Sequence, residues 1–130
     1  MEYLNEDGRA LAVLMLESLT ASDNYRRLSR CFSGWQAEAL SRMTREAKAQ
    51  GTCIGGICAL VMEEPPALPP AIPDTGTVAV RLKKAYARAL HLLAAFEGRS
   101  KDPEYGPVFQ RLAARQQEHC RNILEILGSL

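Results

Sequence analysis

The chain predicts an all-α protein, a four-helix bundle, on three observations. Apolar residues recur at three- and four-residue intervals along most of its length. No pair of alternating segments offers two strands that could ladder together. Turn-forming residues cluster at three places and so divide the chain into four long pieces. Its 130 residues are read as a single domain, 1–130. That length suffices for one core burying roughly two thirds of the unfolded surface.

In the first helix Leu11, Leu14, Ser18, Ala21, Tyr25, Leu28 and Phe32 share one face, and Ser33-Gly34 ends it. The second begins near Trp35. Its stripe is Ala39, Met43, Glu46, Gln50, Cys53, Ile57 and Leu60, and a neighbouring register (Leu40, Met43, Ala47, Ile54, Ile57, Val61) is about as apolar. This helix is therefore expected to be buried over a wide arc. Gly51, Gly55 and Gly56 weaken it, each by about 1 kcal/mol relative to Ala, and mark a kink or a close helix approach. The stretch TCIGGICALVM also reads as a strand, but it would have nothing to pair with.

The third helix runs from about Thr77 to Gly98 on the stripe Val78, Leu82, Ala85, Ala89, Leu92 and Phe96, with Gly98 as its stop. Asp102-Pro103 then supplies an N-cap and a first-position proline for the fourth helix, and Pro107 falls in or before its first turn. Phe109, Leu112, Gln116, His119, Ile123, Ile126 and Leu130 form the last stripe.

The connection between the second and third helices separates one bundle topology from another. Residues 63–74 hold five of the seven prolines. At about 3.1 Å per residue in extended form, these twelve residues reach about 37 Å. That is the length of a helix of about 25 residues. The segment is thus predicted to cross the whole bundle, leaving helices two and three parallel.

Composition excludes several functions. Sixteen Lys and Arg against fifteen Asp and Glu leave +1, and only eight residues are aromatic, so neither a phosphate-binding surface nor a base-stacking platform is expected. Residues 1–74 sum to −3 and residues 75–130 to +4, too little to steer a polyanion. The acidic start, Met1 to Gly8, and a first apolar run of only six residues (Leu11–Leu16) do not resemble a secretory signal. No run approaches the roughly eighteen apolar residues of a membrane span. The expectation is a cytoplasmic protein with no nucleic-acid or membrane partner. Cys31, Cys53, Cys58 and Cys120 lack CxxC spacing and are read as reduced, mostly buried residues rather than as a disulfide framework or a zinc site.

The anomaly is in the fourth helix, where Gln116 and His119 occupy consecutive positions of an otherwise apolar stripe. Buried polar groups need partners. A core hydrogen bond and a ligand site both meet that need.

These residues also carry a family resemblance. DPEYGPVFQRLAARQQEHCRNILEILGSL (102–130) resembles the last helix of ferritin-like proteins of the rubrerythrin type, AYARALHLLAAFEGRS (85–100) their third and LMLESLTASDNYRRLS (14–29) their first. The resemblance implies a four-helix bundle with a central crossover. It also implies a di-iron site built from one glutamate on each of two helices and a Glu-x-x-His pair on each of the others. Carried over residue by residue, that site is degenerate. His119 matches the family histidine, but Gln116 stands where the glutamate should be. Glu46 matches on helix two, with Ala49 in place of the histidine. Helix three reads Ala85-Tyr86-Ala87-Arg88-Ala89, with no carboxylate between Val78 and Phe96. On helix one Glu17 is the candidate, although the face shared with Tyr25 falls on Ser18.

Two irons need anionic oxygens to bridge them and balance their charge, and a neutral Gln and an Ala supply none. The leading expectation is therefore a bundle with no cofactor, in which Glu46, His119 and Gln116 form a buried hydrogen-bonded cluster. Such a chain acts as a non-catalytic binding or structural module, as a homodimer through its helix faces. The alternative is a metal-dependent oxidoreductase, reducing peroxide or oxidising iron, with one iron or zinc held by Glu17, Glu46 and His119. Tyr25, Tyr86 and Gln116 would then lie beside the ligands. A third reading has the core hold an apolar ligand or a haem on His119. His91, off the main stripe, is read as a surface residue.

Overall fold

The computed structural model describes residues 2–63 and 67–130, with side chains from residue 6 onward. Four helices account for most of the chain: α1 (Glu2–Ser29), α2 (Trp35–Met62), α3 (Val78–Arg99) and α4 (Gly106–Gly128). There is no strand among the described residues. The helices form an all-α bundle in which α1 packs on α2 and α3, and α4 packs on α3 and α2. The α2–α4 face is the least closely packed of the four.

The predicted stripes are the core. Leu11, Leu14, Ala21, Tyr25 and Leu28 of α1 are buried against Leu40, Met43, Ala47, Ile54 and Ile57 of α2 and Leu82, Ala85, Ala89, Leu92 and Phe96 of α3. From α4 come Phe109, Leu112, Ile123 and Ile126. On α2 the second of the two registers is the one that faces inward, while Cys53 and Leu60 of the first are exposed. Gly51 and Gly55 explain why. A Cβ at Gly51 would lie 2.8 Å from Leu19 Cδ2, and one at Gly55 2.7 Å from Met15 Cε, so both glycines bring α2 close to α1.

Several boundaries differ from the sequence reading. Gly98 lies inside α3, which continues to Arg99, and Leu130 at the end of the last stripe is exposed. Asp102 does not cap α4. Its Oδ1 accepts from the amides of Glu104 and Tyr105, each at 2.8 Å, forming a turn of its own, and α4 starts at Gly106 with Pro107 in its first turn. A proline at 103 fits that turn as well as it fits a helix start, so the pattern could not separate them. Two of the four thiols, Cys58 and Cys120, are buried, whereas Cys31 and Cys53 are exposed.

Polar ties fix how the helices meet. Cys58 Sγ, near the end of α2, lies 3.3 Å from the Gly8 carbonyl near the start of α1, and Ser22 Oγ donates to the Thr44 carbonyl at 2.8 Å. Arg99, the last residue of α3, pairs with Asp7 at 3.0 Å. Asn24 of α1 is almost completely buried and holds the connection before α3. Its Oδ1 accepts from the Asp74 amide at 2.7 Å, and its Nδ2 donates to the carbonyls of Thr20 and Ile72. The Asp74 carboxylate in turn takes both terminal nitrogens of Arg88, at 2.7 and 3.2 Å. Thr77 then caps α3 by accepting from the Val80 amide.

Two substitutions test this packing. Asn24→Ala strands a buried amide and carbonyl, and should lower stability by about 1–3 kcal/mol in chemical denaturation. At Gly106 a Cβ would lie 2.6 Å from the Ser100 carbonyl oxygen, whereas at Gly56 it meets nothing within 4 Å. Gly106→Ala should therefore destabilise the fold, lowering its denaturation midpoint.

Candidate functional site

The two polar residues that interrupt the α4 stripe meet the other helices inside the bundle, His119 at α2 and α1 and Gln116 at α3. His119 has no exposed surface, and its Nε2 lies 3.1 Å from Glu46 Oε1 on α2. Since a carboxylate accepts, the network assigns the ring proton to Nε2 and leaves Nδ1 as a bare lone pair. Nδ1 is buried without a hydrogen-bond partner. The Tyr25 ring stands edge-on to the imidazole, centroids 5.7 Å apart. One turn earlier on α4, Gln116 Nε2 donates to the Ala89 carbonyl of α3 at 3.2 Å.

The electrostatics favour neutral groups in this centre. Burial holds the His119 imidazole below its ordinary value, outweighing the opposing pull of its bond to Glu46. Burial, with a smaller contribution from Cys120, pushes the Tyr25 phenol well above its usual range, and burial raises the Cys120 thiol too. Glu46, the acidic side chain in contact with His119, reaches solvent. Arg42 Nε and Arg115 Nε stand 3.9 and 3.7 Å from its two oxygens.

Of the three candidate ligands, the structure brings Glu46 and His119 together and sets Glu17 elsewhere. Glu17 Oε2 lies 3.2 Å from Nε2 of His91, a largely exposed side chain on α3. Ser18, the neighbour of Glu17 on the inward face, is the buried one. Among the described residues no three His, Cys, Asp or Glu side chains converge as a metal site would require. Gln116 Oε1 is buried without a hydrogen-bond partner, and Ala49, one turn from Glu46 on α2, is exposed and offers no donor atom. These residues do not fit a di-iron centre. Tyr86 is half-buried at the core edge, and the buried Tyr25 hydroxyl has no hydrogen-bond partner.

Gln50 carried a signal that the sequence reading left unused. It sits on the predicted α2 stripe, and the structure buries it to 1% exposure with neither amide atom hydrogen-bonded. It faces a groove between α2 and α4 lined also by Ala49, Cys53, Val108, Arg111, Leu112 and Arg115, with a volume of about 200 Å³.

The direction of the His119 shift gives a sign. The unfolded chain takes a proton on this ring near pH 6.5, and the folded chain resists it to lower pH. Below about pH 6.5 the unfolded state therefore binds more protons, and stability falls as pH drops. Denaturation of the native protein should show that loss, and His119→Gln should flatten it. His119→Ala should cost about 1–3 kcal/mol at neutral pH through partners left unsatisfied. No protein family, curated protein or solved structure matches the chain.

Proposed function

We propose that this chain is a ferritin-like bundle of the rubrerythrin type that holds no di-iron centre and works as a non-catalytic binding or structural module. The observation that carries this reading is the make-up of the centre. One carboxylate and one histidine converge there, and the Gln116 Nε2–H is taken by a backbone carbonyl of α3. The histidine serves as a packed hydrogen-bonding residue between α2 and α4.

The ferritin-like part rests on the connection from α2 to α3. Cys58 and Met62 lie beside Gly8 near the start of α1, whereas Ile72 and Asp74 hang on Asn24 toward its end. In this reading the connection passes from one end of the bundle to the other, and α2 and α3 run parallel with a single crossover. Arg99 pairing with Asp7 at the far end of α3 supports the same direction.

A homodimer through helix faces completes the reading. Cys53, Gly56 and Leu60 form an exposed stripe on α2, and the bare backbone at Gly56 allows a second copy to approach closely. Four free thiols, two of them exposed, support a reducing, cytoplasmic setting. No described helix is long and apolar enough to cross a membrane.

Elemental analysis of protein expressed with supplementary iron and zinc tests the central statement, with His119→Ala as control and sedimentation for assembly. Neither protein should retain stoichiometric metal, and the native chain should sediment as a dimer. About two irons per chain would overturn the reading in favour of a di-iron oxidoreductase. A single metal lost in His119→Ala would make Glu46 and His119 ligands.

A further inference from the structure

We propose that the groove between α2 and α4 binds a small organic carboxylate with a short apolar chain. Gln50, which lines the groove, is buried to 1% exposure with Nε2 and Oε1 both unpartnered. A buried amide left in this state costs free energy until a polar group meets it. Two guanidinium groups, Arg111 and Arg115, stand on the α4 wall of the same groove. Arg115 is tethered by Glu46 at 3.7 Å, while Arg111 is exposed and pairs with no carboxylate among the described residues.

Donors therefore gather around one small space. The Gln50 Nε2–H and the guanidinium of Arg111 both offer hydrogen bonds to an anion, and a planar carboxylate accepts from a guanidinium in pairs. The remaining walls are apolar: Leu112, Val108 and Ala49. Inorganic phosphate would leave those walls unused, and an alcohol would leave the arginines unused. A carboxylate carrying a few methylenes uses both. The volume, about 200 Å³, is below the roughly 300–1,000 Å³ of pockets for drug-sized molecules, which limits the chain to a short one. This site shares Arg115 with the surroundings of Glu46 but requires neither the crossover nor a metal-free His119.

Binding of sodium hexanoate, followed by calorimetry and by shifts of the Gln50 side-chain amide in NMR spectra, tests the proposal. Hexan-1-ol and sodium phosphate serve as controls. Hexanoate should bind saturably and shift the Gln50 side-chain amide. Gln50→Leu, which keeps the volume, and Arg111→Ala should each weaken binding by about tenfold. Absence of saturable hexanoate binding overturns the site. Equal binding of hexan-1-ol overturns the anionic half of the proposal, and equal binding of phosphate overturns the apolar half. Sedimentation in parallel separates this site from the dimer, since loss of the dimer with binding intact leaves the groove standing.

Discussion

The contact between His119 and Glu46 is the constraint on which the centre of this bundle depends. It sets a histidine with no exposed surface against a carboxylate that keeps one side in water. Removing a polar ring from water is unfavourable unless a partner receives it, so α4 must present position 119 to position 46 of α2. These are the two helices whose shared face is least closely packed. A hydrogen bond fixes their register where apolar contact is thin, and the groove at Gln50 lies one turn further along α2.

The buried polar residues share a pattern. Ser18 and Tyr25 of α1, Gln50 of α2, and Gln116 and His119 of α4 each keep at least one polar atom without a hydrogen-bond partner. An apolar set would pack such a core at lower cost. The ionisable side chains that meet there are Glu46 and His119. Asn24, by contrast, is fully used: three hydrogen bonds hold the connection before α3 to α1.

Much of the bundle was legible in the sequence because the 3.6-residue period is long and clean on α1, α3 and α4. The inward register of α2 was not, since two registers were equally apolar and only the contacts of Gly51 and Gly55 with Leu19 and Met15 decide between them. The Glu46 and His119 positions could be read from polar interruptions of the stripes. Glu17 could not be resolved from Ser18, because a one-residue step on a helix turns a side chain by about 100° and changes its face. Asn24 left no trace in the pattern, because two of its three partners are backbone groups of a segment about fifty residues away. The start of α4 is ambiguous in the sequence because an Asx turn and an N-cap both begin with Asp.

The measurement that most directly tests this account is the state of the His119 ring, read from long-range proton–nitrogen correlations at neutral pH as iron(II) or zinc(II) is added. A neutral ring protonated at Nε2, with nitrogen shifts unmoved by either metal, is the predicted result. Displacement of Nε2 or Nδ1 to a metal-bound position, saturating at a fixed ratio of metal to chain, would contradict it.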